Sequence, residues 1–456
     1  MAIEEALAPW LANQRWFAGK GQGLRDLAVV ADTELVAGEP ELRHLVIAVS
    51  HATTVDYYQL FVGLRRKLPA RLEHVRIGPV GDGRLAYDAL HDAELTRPLL
   101  AAIADGASIG SLRMQRVEGA DFATGLDSLV LTGEQSNTSL VFGDESILKV
   151  FRRLSPGPNP DLEVTTALTE LGSCQVAPVL GWIETRLEGV PTSLAILSRF
   201  LRLASDGWSL AATSVRDLYA ATSESAAHDS SPSRIRPADV GGDFGAESHR
   251  LGVATAQVHA DLADAFGVDE VGAEAIAELT ERMFRKLDLA VAAVPELSKH
   301  TEMISEAYAE LARLRGPWPV QRVHGDYHLG QVMRTENGWV VLDFEGEPAT
   351  PLAQRRARSS PLRDVAGMLR SFDYAARHQL IGHPDEATLS DAARDWVRRN
   401  ASAFCAGYAD GGGLDPVANL VLLRALQLEK AVYEVLYEAR HRPSWLSIPL
   451  DSLAEF

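Results

Sequence analysis

Only two cysteines, Cys174 and Cys405, occur in 456 residues. They are too few and too far apart to frame a disulfide scaffold or a metal knuckle, and a reducing compartment is the simplest setting. Long apolar runs are missing as well, none approaching the ~20 residues a membrane span needs. The start carries Glu4 and Glu5 where a signal peptide would place basic residues, so none is expected. Positive charge is in deficit: 44 Lys and Arg stand against 62 Asp and Glu, a formal net charge of −18. That balance argues against nucleic acid or an anionic membrane as partner and tilts weakly toward a cationic ligand. A soluble, cytoplasmic monomer is the expectation. What remains is ordinary globular material, 46% hydrophobic and 23% charged, long enough for two or three compact units.

The chemistry concentrates between Val323 and Pro348. His324-Gly325-Asp326 opens a polar loop, and Gln331 follows Asp326 after four residues. Gly338 then precedes Trp339-Val340-Val341-Leu342, an apolar run of buried-strand type, and Asp343-Phe344-Glu345 comes directly after it. One loop and one strand end thus deliver two carboxylates and an amide to a common point. Phosphoryl transfer needs that set: a carboxylate to orient the attacking hydroxyl and hard oxygens for Mg²⁺. The spacing resembles the kinase catalytic loop followed by Asp-Phe-Gly, and its HGDxH form looks like that of aminoglycoside phosphotransferases. Gln331 stands where Asn is usual, and Glu345 where Gly is. The competing reading is a polar hairpin whose acids satisfy backbone groups.

Ahead of this stretch, Ile3, Ala6, Leu7, Trp10 and Leu11 mark a short amphipathic helix. Strand-like alternation covers 42–49 and 55–62, and a helix lies around 89–104. Residues 1–100 read as a small sheet-plus-helix cap. Residues 101–205 read as a nucleotide lobe, with short strands at 129–131, 138–142 and 146–151. The loop 133–139 between the first two offers backbone amides and the side chains of Ser136 and Asn137 to phosphate, or is a plain polar hairpin tip. Lys149 lies inside an apolar strand, where an ammonium is costly unless paired. ATP phosphates and Glu163, in the first turn of the next helix, are the predicted partners, with Glu170 as fallback; an outward-facing edge lysine is the alternative. Residues 195–200 read as a buried strand, and 223–237 as a mobile Ser/Pro-rich loop.

Residues 206–456 read as a helical lobe. His259 is assigned to packing. The basic run 353–358 is either a solvated face or a phosphate-attracting lip. Asp364 either fixes the catalytic loop by accepting backbone hydrogen bonds or caps a helix. On the last helix, Gln427, Lys430, Glu434, Tyr437, Glu438 and His441 share one face, and Glu429, Tyr433 and Arg440 another. These are surface pairs or the polar wall of a sugar site.

Residues 14–20, 134–139, 322–331, 343–348, 360–375 and 430–449 together resemble the actinobacterial maltokinases. The resemblance spans nearly the whole chain. It implies an α+β, bilobal protein-kinase-like (aminoglycoside phosphotransferase-like) fold with an N-terminal cap and a mostly helical C-terminal lobe. It also implies phosphorylation of a sugar by Mg-ATP. Carried over, Asp326 is the catalytic base, Gln331 and Asp343 hold Mg²⁺, and Lys149 meets the ATP phosphates. Ser198 and Phe200 fall on the hinge whose backbone meets adenine, with Asp206 within reach of ribose. Where maltokinases read AYELDKAVYE, this chain has Leu426, Gln427 and Glu429, changes similar to those in glucosamine kinases of antibiotic-producing actinobacteria. The acceptor is then expected to be glucosamine, giving its 6-phosphate, at a site drawn from Asp326, His328, Gln427, Glu429, Glu434, Tyr437 and Glu438. A maltokinase forming maltose 1-phosphate is the alternative, and a non-catalytic ATP-binding scaffold the distant one.

Overall fold

The computed structural model describes all residues except 1, 20–24, 52–53, 132–135, 229–234, 241 and 348–349, and omits the side chains of 226–228. The chain divides into two compact units, residues 1–169 with 177–202, and 170–176 with 203–456.

The first unit contains two antiparallel sheets. In the N-terminal sheet the strands Asp26–Val36, Glu41–Ser50, Val55–Arg65, Leu85–Asp88 and Arg76–Pro79 lie in that order, and Arg153–Leu154 adds to Val55–Arg65. Period-two alternation sorts its residues to two faces. Leu45, Ile47, Val49 and Leu60 pack against Leu7, Leu11 and Phe17. Leu42, Val46 and Phe61 share a second cluster with Leu140, Leu148 and Leu197 of the other sheet. The cap and the segment after it are therefore built around one continuous core. The second sheet runs Ser108–Ile109, Leu112–Arg116, Val179–Leu187, Val190–Arg199, Ser146–Val150, Thr138–Phe142 and Ser128–Val130. Leu148 and Val150 are fully buried, which turns Lys149 to the opposite face.

Helices dominate the second unit. Leu362–Arg377 is its centre, with every residue but Arg363 buried. Charges so enclosed must be paired, and they are: Arg370 with Asp373 and Glu434, and Arg377 with Asp373. Helices Gly245–Phe266 and Glu386–Asp410 meet backbone to backbone at Gly252 and Gly407. A Cβ at either would sit 2.2 Å from the Phe404 carbonyl oxygen or 2.0 Å from that of His249. A small sheet of Ser205–Asp206, Val332–Thr335 and Gly338–Val341 carries the catalytic stretch. Helix Gly207–His228 runs into the segment expected to be a loop from Ser223, because Glu and Ala favour a helix and Ser costs one already propagating little. No helix among the described residues is long and apolar enough to cross a membrane.

Candidate active site

The catalytic loop is held from beneath. Asp364, in the first turn of helix Leu362–Arg377, accepts hydrogen bonds from the backbone N–H groups of His324 at 2.7 Å and Gly325 at 2.9 Å. Its Oδ2 also lies 3.0 Å from Nε2 of His259, whose Nδ1 is 2.7 Å from the Tyr408 hydroxyl. Burial pushes the Asp364 carboxyl upward, but the bonds from His259 and the loop amides outweigh it and hold it below the usual range. His259 thus packs, as expected, and Asp364 takes the loop-fixing role. Gly325 adopts φ +84, which glycine permits without strain. His324 closes the turn: its Nε2–H donates to the Leu342 carbonyl at 2.8 Å while Nδ1 accepts from the Asp326 N–H at 3.3 Å.

Past the hairpin, the Leu342 N–H donates to the Gln331 carbonyl at 2.8 Å. Asp343 then takes φ +64, a left-handed conformation that costs a non-glycine residue energy and recurs at functional sites. In that geometry Gln331 Nε2 donates to Asp343 Oδ2 at 3.2 Å. The two side chains lie side by side, with the amide nitrogen of Gln331 toward Asp343, and their oxygens are hard donors of the kind Mg²⁺ takes. Asp326 faces Lys430, whose Nζ is 3.3 Å from Asp326 Oδ1 and 3.6 Å from Glu347 Oε1. Although burial pulls the ammonium downward, the Asp326, Glu347 and Glu434 carboxylates raise its pKa and keep it charged.

A cavity of about 600 Å³ opens beside Asp326. His328, Lys430, Glu434, Tyr437 and Glu438 line it, together with Trp208, Glu347, Ser371, Tyr374, Tyr433, Arg442 and Trp445. His328 Nδ1 accepts from the Gly330 N–H at 3.0 Å, and burial lowers its pKa, so it is a neutral wall. Glu434 Oε2 accepts from both Nε and Nη2 of Arg370, at 2.9 and 2.7 Å. Glu438 Oε1 accepts from Arg442 at 2.7 Å and from the Tyr374 hydroxyl at 3.2 Å. Its Oε2 is buried and has no hydrogen-bond partner among the described residues. Burial raises the pKa of both acids.

Other candidates lie elsewhere. Gln427 does not line this cavity. Glu429 is held by Lys286 at 2.6 Å and Arg363 at 3.6 Å, at a smaller cavity it shares with Asp326 and Lys430. Asp206 caps helix Gly207–His228, accepting from the N–H groups of Trp208 at 3.1 Å and Ser209 at 2.9 Å, and so sets Trp208 in the cavity wall. In the first unit Lys149 Nζ pairs with Asp161 Oδ2 at 2.9 Å, an acid in the same first helical turn as the predicted Glu163. Helix Pro160–Glu170 starts at the proline and carries both acids in its first turn, with Asp161 buried and Glu163 half-buried. Ser198 lies on strand Val190–Arg199, and the Phe200 N–H donates to the Glu145 carbonyl at 2.9 Å. Ser136 is exposed and Asn137 half-buried at the start of the strand 138–142; Gly133, Glu134 and Gln135 of the same loop, like Lys20 and Pro348, lie outside the described residues. In the basic run, Arg355 donates to the Glu345 carbonyl and Arg358 to that of Phe266, so both support loop structure.

Trp208, Glu347, Tyr374, Arg442 and Trp445 are wall residues the sequence did not single out. They reach the cavity from four separate segments, and only the one-face pattern of the last helix gave a signal.

This loop, with Asp326 beside the neighbouring Gln331 and Asp343, has the side chains that a phosphotransferase of the kinase-like class requires. Residues 230–399 match the phosphotransferase enzyme family, and residues 10–92 match the maltokinase N-terminal cap domain. A glucosamine kinase from Streptacidiphilus jiangxiensis is 31% identical over 354 residues, covering 75% of this chain and 76% of the relative. Another, from Mycolicibacterium smegmatis, is 30% identical over 70% of this chain and 77% of its own. A glucosamine kinase solved with glucosamine, ADP and inorganic phosphate superposes with a TM-score of 0.68 at 25% identity, covering 99% of this chain and 98% of that one. A further crystal form gives 0.70 at 26%, with 99% and 98% covered. The chain belongs to the family of these glucosamine kinases, the capped branch of the phosphotransferase enzymes.

Proposed function

We propose that this protein transfers the γ-phosphoryl group of ATP to the 6-hydroxyl of glucosamine. The observation that carries the acceptor choice is Glu438. A carboxylate buried in the cavity wall with one oxygen unpartnered is costly unless a ligand completes it. An ammonium does so, and glucose, lacking one, leaves the acid unpaired. Glu434 adds negative potential to the same wall while Arg370 fixes its position. Tyr433 and Tyr437 offer aromatic faces to the ring.

In this reading Asp326 accepts a hydrogen bond from the sugar hydroxyl and aligns it for in-line attack. Asp364 and His324 hold the loop so that this alignment costs no reorganisation in the transition state. Lys430 balances the Asp326 charge and limits where its carboxylate can point. Gln331 and Asp343 would hold Mg²⁺, which would supply charge neutralisation for the transferring group. Lys149, oriented by Asp161, binds the ATP phosphates, with Ser136 and Asn137 at the loop beside them. Maltose as acceptor rests on the cap match alone, and the two buried acids favour a cation over a neutral disaccharide. ADP release measured over glucosamine, glucose and maltose at fixed Mg-ATP tests the proposal. Preference for glucosamine supports it, and preference for maltose replaces it.

A further inference from the structure

The N-terminal sheet is joined to the nucleotide-side sheet by buried polar bonds as well as by apolar packing. Two residues past Val150, the end of the Lys149 strand, Arg152 is only 1% exposed. Its Nη2 donates to Asp88 Oδ2 at 2.5 Å, and its Nε donates to Thr138 Oγ1 at 2.7 Å. Its guanidinium also lies 5.1 Å from the centroid of the Trp16 ring. Asp88 ends a strand of the N-terminal sheet, whereas Thr138 opens the strand directly after Ser136 and Asn137. The following residues, Arg153 and Leu154, pair with Tyr58 and Tyr57 of the N-terminal sheet. Gln59 of that sheet donates through Nε2 to the Phe151 carbonyl at 2.8 Å and the Leu194 carbonyl at 2.6 Å. A hydrophobic core alone would hold the two sheets together. A buried arginine in its place takes partners from both sides, Nε and Nη2 being bonded while Nη1 has no hydrogen-bond partner among the described residues, and it fixes a geometry that apolar contacts leave free.

We infer that Arg152 is a positioning residue, through which the N-terminal sheet sets the base of the 136–139 loop and so the affinity for nucleotide. The inference rests on the reading of Ser136, Asn137 and Lys149 as nucleotide-binding, and it gives the cap a part in phosphoryl transfer although it carries none of the reacting groups.

The test uses the full chain. Thr138→Val removes only the acceptor of the Arg152 bond, and Thr138→Ser restores it. Thr138→Val is expected to raise the KM for ATP and the Kd for ADP by roughly fivefold, the size of one lost hydrogen bond, with the KM for glucosamine unchanged. Thr138→Ser is expected to return both to wild-type values. Leu7→Ala, on the other face of the N-terminal sheet, should lower Tm without that split. If Thr138→Val does not fold, Asp88→Asn reads the same link from the other side. Nucleotide affinity unchanged in Thr138→Val, or both KM values shifted together, overturns the inference. ADP affinity by calorimetry is independent of turnover. A wild-type protein that binds ADP but phosphorylates no glucosamine therefore defeats the functional reading and leaves this test intact.

Discussion

Glu438→Gln isolates the charge that the acceptor site offers. The side chain keeps its shape and its place between Tyr374 and Arg442, and loses the negative charge that meets an ammonium and pairs with Arg442. Hydrogen bonds to charged groups contribute about 1.5–3 kcal/mol. The loss of kcat/KM for glucosamine is therefore expected to be about 10- to 150-fold, while glucose changes little. Acidity supplies a second signature. Burial raises the Glu438 pKa above its ordinary value of 4.5, with Arg442 and Tyr374 offsetting part of the rise. Its carboxylate therefore protonates earlier than an exposed one as pH falls. The glucosamine rate should drop on an acid limb lying above pH 4.5, and that limb should move in Glu438→Gln. Stability runs the other way. A buried acid with a raised pKa is more stable neutral, so ionising it costs the fold stability as pH rises through that value. Gln removes this cost, and Tm at neutral pH should hold or increase. ADP-coupled kinetics from pH 5 to 8 with both sugars, beside thermal melts, read all three effects. Equal losses for glucosamine and glucose, or none for glucosamine, would refute the argument.

Other expectations follow from the same geometry. Asp364→Ala leaves the His324 and Gly325 amides without their acceptor, at about 1–3 kcal/mol each, and should lower both Tm and kcat. The Asp364 pKa is depressed below 3.8, so its stabilising share is complete above pH 3.8 and disappears as pH falls through the folded value. Asp364→Asn should accordingly flatten the acid limb of a stability profile. Arg370→Met strands the Glu434 carboxylate in the interior and should cost about 3–5 kcal/mol, visible in chemical denaturation. Glu434→Gln should change Tm more than it changes sugar preference, the reverse of Glu438→Gln.

Much of this was readable before the fold was known, because the catalytic loop is local: Asp326, Gln331 and Asp343 lie within eighteen residues of one another. The role of Asp364 was legible too, since an acid in a first helical turn has few uses besides capping and binding amides. Asp161 was not named as a partner of Lys149 because its place in the first turn depends on the helix starting at Pro160, which only the fold settles. Reading 223–228 as loop followed Ser content, although Glu224, Ala226 and Ala227 favour continuing a helix already begun. The strand Asp26–Val36 escaped notice because its alternation is between exposed and half-buried residues, with no strongly apolar face to announce it. Trp208 and Trp445 reach the cavity from segments whose local sequence says nothing of a ligand. Only the fold brings them to the helix that carries Glu434 and Glu438.

The most direct measurement pairs ADP release with ADP binding in wild type and Asp326→Ala. Glucosamine is predicted to elicit ADP release from wild type, with phosphate appearing on its 6-hydroxyl by NMR. Asp326→Ala is predicted to bind ADP with unchanged affinity and to release none. Turnover that survives Asp326→Ala, or is lost together with ADP affinity, would contradict the account.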